Sequence, residues 1–468
     1  MDIRETFRGA WIAALFVLAA SVAAIAAPAD LLVRAGTIVT MDPSRRVIED
    51  GAIAIDGERI LAVGPRAEIE AAYDAKRIQD YPTGILLPGL LNTHTHAAMS
   101  LFRGLADDLT LDRWLQDFIF PAEARNVTPE FVYWGTRLAA SEMLLSGTTL
   151  FVDMYYFEEE VARAAADAGI RTIAGQSVIQ FPVPDAKNPE EGLARAEAFM
   201  KRFAGHPLVV AAVAPHALYT NDEATLRACR KLADKFGTPL VIHLSETQKE
   251  QTDMRAKYGK SPAAVLADWG VLDGPTIAAH GVWLDSADLD LLRGKPVGLA
   301  HNPGSNMMLA SGVAPIGEIR RRGIPVGLGT DGPAGSNNDF NLFEEMDLAA
   351  KLQKVSRMDP TALTAKDALA MATIEGARAI RMDTEVGSLE SGKRADWVLL
   401  DGKALNATPM FDVYSQIVYA FKGANVKDVM VNGVLLVENG KLVNDISDEL
   451  RTKAEEFKSR TEASLQAK

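Results

Sequence analysis

Short apolar runs alternate with helix-like sequence through the middle of this 468-residue chain. Residues 208–214, for example, are apolar at every position, which is typical of a strand buried on both faces of a parallel sheet. Residues 131–146 and 159–168 follow such runs and have a helical composition. Because parallel strands need long crossover connections, the alternation predicts an α/β fold in which residues 89–381 form a (β/α)8 TIM barrel. The predicted barrel strands end at His96, Asp153, Gln176, Pro215, His243, His280, His301 and Asp331.

The two ends of the chain show another pattern, in which short β-like stretches are bounded by turn signals. Residues 31–40 represent it near the N-terminus and residues 429–437 near the C-terminus. Neither end could bury a sheet face alone, so we expect residues 28–88 and 382–445 to combine into one small composite β-sandwich domain. The charged residues 446–468 are expected to form a C-terminal helix.

The composition is that of a globular protein, because 48% of the residues are hydrophobic and 24% are charged. The formal net charge of −13 argues against binding to nucleic acid or to an anionic membrane, since both require a basic patch. The single cysteine, Cys229, has no partner for a disulfide and is expected to be a small buried residue. We therefore expect a small-molecule substrate, and the sequence leaves a homo-oligomer open.

The first 27 residues resemble a signal peptide. Arg4 and Arg8 precede an apolar stretch over residues 10–27, which ends in the small residues expected at a cleavage site. The chain is therefore predicted to be exported, to the periplasm. The stretch is also near the lower limit for a membrane span, roughly 17 residues. An uncleaved N-terminal anchor is the alternative, and no membrane contact is expected beyond this segment.

Six of the seven histidines fall at the predicted C-terminal ends of barrel strands, where the active sites of such barrels lie. His94 and His96 flank one residue of a strand, so their imidazoles point to the same face and can form half of a transition-metal site. Only His206 precedes a strand, and it is expected to be structural. The clustering argues for a functional site at the barrel mouth. The residues at this edge are His94, His96, His216, His243, His280, His301 and Asp331.

Five blocks of the sequence match the pattern of a known family. They are residues 88–99, which include the His-x-His, and residues 102–108, 120–124, 243–247 and 329–332. In these blocks the chain resembles the amidohydrolase superfamily. More narrowly, it is similar to the methylthioadenosine/S-adenosylhomocysteine deaminases and the related triazine chlorohydrolases. The resemblance covers essentially everything after the predicted signal segment.

The resemblance implies that His94, His96, His243 and Asp331 hold one divalent metal ion. Three imidazoles and a carboxylate suit zinc, with iron as the usual rival, and leave a position open for water. Binuclear members of the superfamily bridge two metals with a carbamylated lysine on strand four, but residues 208–217 contain no lysine. The sequence therefore predicts a single Zn²⁺ or Fe²⁺ ion as the cofactor.

The resemblance also implies a hydrolytic reaction, in which a hydroxide supplied by the metal attacks the amino-bearing carbon of a ring. His280 and Asp331 would take the proton and orient the hydroxide. Glu246 would protonate the ring nitrogen beside the attacked carbon and then the departing amine. The simpler alternative for Glu246 is a surface carboxylate that follows a strand.

Substrate contacts follow from the same resemblance. Glu123 would accept hydrogen bonds from ribose hydroxyls, while Trp114 and His216 would line the pocket. Trp114 has an ordinary alternative, as a core residue of a helix. His301 is expected to support the metal site from behind its ligands.

One departure from the family concerns the tail of the substrate. Members that act on S-adenosylhomocysteine grip its carboxylate with arginines near strand three, as a bidentate fork would. Between Arg171 and Arg195 this chain has no arginine, and Lys187 is the only cation there. A substrate without the homocysteine tail, such as methylthioadenosine or adenosine, therefore stays open beside S-adenosylhomocysteine.

Taken with the histidine pattern, the resemblance predicts an enzyme that hydrolyses non-peptide C–N bonds of cyclic amidines. The specific expectation is a metal-dependent deaminase of an adenine nucleoside or a similar amino-heterocycle. The alternatives are a triazine-type hydrolase that expels chloride or an amine, and a mononuclear metallo-amidase. Glu246 favours deamination, because it supplies the proton that an amine leaving group requires. A non-catalytic exported ligand-binding protein is least favoured, since every expected metal and proton-transfer residue is present.

Overall fold

The computed structural model of the chain describes residues 26–466, whose strands form two sheets. The predicted signal segment, residues 1–27, lies outside this part of the chain except for Ala26 and Ala27, and it stays a prediction. Among the described residues, no helix combines the length and apolar character needed to cross a membrane. The strands are β1 (Ala27–Val39), β2 (Val47–Asp56), β3 (Arg59–Pro65), β4 (Tyr73–Pro88), β5 (Leu90–Thr95), β6 (Thr148–Tyr155), β7 (Arg171–Ser177), β8 (Val209–Ala214), β9 (Leu240–Leu244), β10 (Thr276–His280), β11 (Val297–His301), β12 (Val326–Leu328), β13 (Trp397–Leu400), β14 (Val426–Val431), β15 (Val434–Glu438) and β16 (Lys441–Leu442).

Helices lie between most of these strands. Several begin with a side-chain cap, such as Thr128, which accepts a hydrogen bond from the backbone N–H of Phe131. The last helix packs Phe457 edge-on against Phe131, with 5.4 Å between the ring centres. The helices are α1 (Arg66–Ala72), α2 (Leu111–Arg113), α3 (Phe120–Asn126), α4 (Pro129–Leu145), α5 (Glu158–Ala168), α6 (Pro189–Arg202), α7 (Glu223–Phe236), α8 (Gln248–Tyr258), α9 (Pro262–Asp268), α10 (Ser286–Leu292), α11 (Pro303–Met308), α12 (Ile316–Arg321), α13 (Leu342–Arg357), α14 (Ala365–Met371), α15 (Ile374–Ala379), α16 (Val413–Ser415) and α17 (Ser447–Gln466).

Strands β5 to β12 close into a parallel barrel in the order β10-β11-β12-β5-β6-β7-β8-β9. Every residue of β6, β7 and β9 is buried, as expected for strands that are covered on both faces in a closed parallel barrel. Cys229 is buried in α7. The predicted TIM barrel is confirmed, and the carboxyl ends of its strands carry the histidines picked out from the sequence.

The accessory sheet draws its strands from both ends of the described chain, in the order β16-β15-β14-β13-β4-β1-β2-β3. Strand β4 joins the two sets, because it pairs in parallel with β1 and antiparallel with β13. One mixed sheet of eight strands thus combines the N-terminal and C-terminal segments. The predicted domain limits, residues 28–88 with 382–445, stay predictions.

A buried ion pair joins the barrel to the accessory sheet. Arg171 opens β7, and its Nε and Nη2 atoms donate to the carboxylate of Asp396 at 2.6 and 3.2 Å. The side chains are only 5% and 2% exposed. Asp396 also accepts from the backbone N–H of Asn432 at 2.6 Å. The sheets meet closely nearby, since a Cβ on Gly89 would lie 2.0 Å from Oγ1 of Thr149.

We expect Asp396→Ala to lower the free energy of unfolding by about 3–5 kcal/mol, because it leaves Arg171 charged and buried without its partner. Urea denaturation followed by circular dichroism measures the loss. Asp268→Ala is the matched control, since it removes an exposed partner of Lys260 and should cost less than about 1 kcal/mol. An equally small loss for Asp396→Ala would show that the buried pair does not anchor the two sheets.

Candidate metal centre and active site

The four side chains expected to be metal ligands converge at the mouth of the barrel. His94 lies at the end of β5 and His96 directly follows it, while His243 lies in β9 and Asp331 follows β12. The ligand atoms that these residues offer all lie within 4.8 Å of one another. Three of the four residues are buried and His96 is half-buried, so interactions among them are weakly screened by water.

Two of the histidines are oriented by backbone carbonyl groups of neighbouring strands. Nδ1 of His96 donates to the carbonyl oxygen of Met154 at 2.6 Å. Nδ1 of His243 donates to the carbonyl oxygen of His216 at 2.9 Å. Because a carbonyl oxygen only accepts, both Nδ1 atoms carry the hydrogen, so Nε2 is the atom that each ring can offer to a metal.

His94 shows that the cluster suits a metal ion. It is fully buried, and neither ring nitrogen has a hydrogen-bond partner among the described residues. Such unpartnered atoms are rare, because each costs about 1–3 kcal/mol. Burial lowers the pKa of His94 to about 4, so its ring is neutral, as a metal ligand must be. Three nitrogens and one carboxylate match the donors that divalent transition metals prefer.

Asp331 lies at the centre of the charge pattern. Its Oδ1 atom is 3.3 Å from Nε2 of both His94 and His96. Ser305 Oγ donates to Oδ2 at 2.6 Å, and the N–H of Gly332 donates to Oδ1 at 2.7 Å. Burial alone would raise the pKa of Asp331, but the two histidines hold it well below its usual range. The same contact overcomes burial and raises the pKa of His96 to about 9, so metal binding there must displace a proton.

His280 faces two carboxyl groups across the cavity. Its Nε2 atom lies 3.8 Å from Oε2 of Glu246 and 3.9 Å from Oδ2 of Asp331. Its Nδ1 atom donates to Oδ1 of Asn306 at 3.0 Å, which leaves Nε2 able to accept a proton. Glu246 is buried, and burial raises the pKa of its carboxyl group despite the opposing effect of His280. An imidazole nitrogen therefore lies beside a carboxyl group whose pKa is raised.

The backbone is in the left-handed region at four strand ends of this rim. The φ angles are 30° at His216, 51° at Ser245, 75° at His280 and 65° at Asp331. Non-glycine residues in this conformation cost about 1–3 kcal/mol each and persist only where the surrounding structure holds them. At Ser245 the carboxylate of Glu250 does so, by accepting from the N–H groups of Ser245 and Glu246 at 3.2 and 2.8 Å.

A cavity opens from the ligand cluster, and its walls are mostly aromatic and aliphatic. Three of the four expected ligands border it, together with Glu246 and His280. Trp114, Glu123 and His216, which were predicted to contact substrate, also line it. The lining residues are His96, Met99, Leu111, Trp114, Leu115, Ile119, Phe120, Glu123, Met154, Tyr155, Tyr156, Ser177, His216, Tyr219, His243, Glu246, His280, Leu309 and Asp331.

Glu123 has two partners that the sequence did not single out. The hydroxyl groups of Tyr155 and Tyr156 donate to its carboxylate at 2.7 and 3.3 Å. Burial raises the pKa of Glu123 to about 7 against the effect of these hydrogen bonds. The sequence signal for Tyr155 and Tyr156 was weak, because two aromatic residues at the end of a strand are also common in a hydrophobic core.

The remaining predicted residues differ in how they are placed. Trp114 is a buried core residue and also lines the cavity, with its Nε1 donating to the carbonyl oxygen of Ala334 at 2.8 Å. Burial lowers the pKa of His216 to about 3, so its ring is neutral. His301 is fully buried but forms no side-chain hydrogen bond among the described residues, and its supporting role stays a prediction. Ser305 and Asn306 contact Asp331 and His280 instead.

Several known proteins are similar to this chain in sequence and in structure. Residues 85–436 match the Amidohydrolase family, and residues 51–75 match the imidazolonepropionase-like composite domain of bacteria. The chain is 45% identical over 436 residues to a 5-methylthioadenosine/S-adenosylhomocysteine deaminase of Syntrophus aciditrophicus, covering 93% of this chain and 98% of the relative. A 5′-deoxyadenosine deaminase of Methanosarcina acetivorans is 40% identical over 441 residues, covering 93% and 100%. The crystal structure of an adenosine deaminase from Xanthomonas campestris with bound zinc has a TM-score of 0.91 at 38% identity, covering 94% and 100%.

We expect the purified protein to bind about one divalent metal ion per chain, as measured by plasma mass spectrometry after dialysis. His94→Ala should reduce this at least tenfold, because one of four donors is lost from a buried cluster. His206→Ala is the matched control, since His206 lies before β8 at the opposite end of the barrel. Equal metal content in the two variants would mean that the cluster is not the metal site.

Proposed function

The chain belongs to the amidohydrolase family, and from that premise we propose that it is a metal-dependent hydrolytic deaminase of adenine nucleosides or similar amino-heterocycles. The observation that carries the proposal is the buried carboxyl group of Glu246, which shares one cavity with the four-ligand cluster. The relatives named as deaminases of methylthioadenosine, S-adenosylhomocysteine and 5′-deoxyadenosine support it. Zinc is the proposed metal, since the donor set is rich in nitrogen and the related adenosine deaminase contains zinc.

The ligand cluster would prepare the nucleophile. A divalent ion held by His94, His96, His243 and Asp331 would lower the pKa of a bound water to about 7 and so supply hydroxide near neutral pH. Nε2 of His280 faces the carboxylate of Asp331 and accepts the proton from the attacking water. The hydrogen bond from Nδ1 of His280 to Asn306 holds the ring in the orientation that this transfer requires.

Glu246 acts on the substrate. Because burial raises the pKa of its carboxyl group, it holds a proton more readily than an exposed glutamate. It donates that proton to the ring nitrogen beside the attacked carbon, which makes the ring a better electron acceptor. A proton then passes to the departing amine, which leaves as ammonia. General acid–base catalysis of this kind contributes about 10²–10⁴-fold.

The other candidate reactions are less well supported. Expulsion of chloride from a triazine needs a proton on the ring nitrogen at most, whereas deamination also needs a proton on the leaving group, so Glu246 has the fuller role in deamination. A binuclear amidase would need the bridging lysine that residues 208–217 lack. A binding protein without catalysis would have no use for a buried proton donor next to His280.

We expect zinc-loaded protein to deaminate at least one of adenosine, 5′-deoxyadenosine and methylthioadenosine. Loss of adenine absorbance and release of ammonia should occur in equal amounts, because one amine leaves for each ring converted. A chlorotriazine and a set of dipeptides are the comparison substrates. Turnover of a triazine or a dipeptide, with no nucleoside deaminated, would overturn the proposed function.

We expect Glu246→Gln to keep its metal but to lose at least about 10³-fold in kcat, because the amide cannot donate a proton in the same way. Wild-type activity should also fall as the pH rises through the pKa of Glu246, since only the protonated carboxyl is the acid. Metal content and kcat are measured on the same preparations. Loss of metal in the variant would identify Glu246 as a ligand and not as the acid.

A further inference from the structure

We propose that the cavity selects adenine nucleosides with a small, uncharged 5′ substituent and discriminates against those whose 5′ substituent ends in a carboxylate. The inference rests on the proposed deaminase function and narrows its substrate class. Methylthioadenosine ends in a methyl thioether and 5′-deoxyadenosine in a methyl group, whereas S-adenosylhomocysteine ends in a charged amino acid. The site therefore differs in substrate range from relatives named for both methylthioadenosine and S-adenosylhomocysteine.

The first observation is the charge of the cavity wall. None of the residues that line the cavity within the described chain is a lysine or an arginine. The carboxyl groups of Glu123, Glu246 and Asp331 face it, and the histidines there belong to the ligand cluster or lie beside it. Apart from a metal ion in the ligand cluster, which the ring end of the substrate would face, this space offers no cation to a carboxylate at the 5′ end. Burying a carboxylate without a cationic partner is strongly unfavourable.

The second observation is the apolar edge beside β7. Phe120 lines the cavity, and its ring centre lies 5.6 Å from that of Phe181 in an edge-to-face contact. Phe181 is 38% exposed, so this aromatic pair extends from the cavity to the surface. The cations that follow β7 do not serve this edge, because Lys187 is outside the linings of this cavity and of its neighbour and Arg195 is paired with Glu159 at 2.5 Å. This edge suits an apolar substituent.

The third observation concerns a neighbouring cavity at the mouth. It shares Leu111, Leu115, Tyr219 and Leu309 with the first cavity, so the two adjoin. Its charged lining residues are Asp112, Lys249, Glu250 and Asp253.

Among the described residues that line this second cavity, Lys249 is the single cation, and it already forms an ion pair with Asp253. Its Nζ atom lies 2.5 Å from Oδ2 of Asp253. A substrate carboxylate would have to displace Asp253 and would also meet the charge of Asp112. Acidic surroundings of this kind select against an anion, as like charges do at other specific interfaces. Both exits from the cavity thus disfavour a carboxylate-terminated tail.

The test uses two nucleosides of equal shape. The first is adenosine with a 5′-(2-carboxyethyl)thio group, and the second carries the corresponding neutral carboxamide. We expect kcat/KM to be at least about 30-fold lower for the acid than for the amide, and lower for S-adenosylhomocysteine than for methylthioadenosine by a similar factor. This bound follows from the strength of a hydrogen bond to a charged group, which changes an equilibrium constant by roughly 10- to 150-fold. The acid would lack such a bond here.

Binding to the Glu246→Gln variant, measured by calorimetry, separates the two proposals. If this variant binds the amide and methylthioadenosine but binds the acid at least tenfold more weakly, selection occurs on binding, as proposed. If acid and amide bind and react equally, the selectivity is wrong while the deaminase function stands. If no nucleoside binds or reacts, both proposals are wrong.

The Lys249→Met variant tests whether a substrate carboxylate binds to Lys249. We expect this variant to keep the wild-type ratio of acid to amide within about twofold, because Lys249 does not hold the substrate. Lys257→Met is the matched control, since Lys257 is outside both linings. A loss of activity confined to the acid and to S-adenosylhomocysteine in Lys249→Met would show that Lys249 binds the carboxylate, and it would overturn the proposal.

Discussion

The seam between β5 and β12 is the constraint on which the rest of the site depends. Within the two strands only Asn92 and Leu328 pair in register, so side chains and a further bridge between Thr95 and Asp331 complete the closure of the barrel. Asn92 donates to Oγ1 of Thr330 at 2.8 Å and accepts from the N–H of Thr330 at 3.0 Å. The N–H of Asp331 donates to the carbonyl oxygen of His94 at 2.9 Å. Because this seam carries three of the four expected ligands, closing the barrel also aligns them.

Neighbouring elements then fix the loops that this seam leaves free. The carboxylate of Glu345, on α13, accepts from the N–H of Gly304 at 2.9 Å and from Nδ2 of Asn337 at 2.8 Å. Asn337 also donates to the carbonyl oxygen of Thr330 at 2.8 Å. One buried glutamate thus connects α11, which carries Ser305, to the loop after β12. The position of Asp331 is therefore determined by the barrel and by α13 together, and a site held in this way needs little reorganisation when it binds its ligands.

The expected ligands were predictable because metal binding requires particular residue types, and these recur at strand ends in the sequence. The groups that orient them were not, since Met154 and His216 act through carbonyl oxygens that every residue has. The order of the accessory sheet was equally hidden. The alternation of apolar and polar residues predicts strands, but it does not predict which strands pair. Strand β4 pairs with β1 and also with β13, and β13 lies more than 300 residues after β4 in the chain. Positive φ at His280 and Asp331 has no signature in these residue types either.

The two carboxyl groups that face His280 show why residue type alone does not assign a role. Asp331 has two imidazoles and two hydrogen-bond donors around it, so the negative charge is compensated and its pKa is low. Glu246 is equally buried, but His280 at 3.8 Å and His96 oppose the effect of burial too weakly, and the pKa of Glu246 is raised. The same imidazole therefore lies between a carboxyl group of lowered pKa and one of raised pKa, and the surroundings of each determine which one holds a proton more readily. A reaction that must accept one proton and donate another needs this asymmetry.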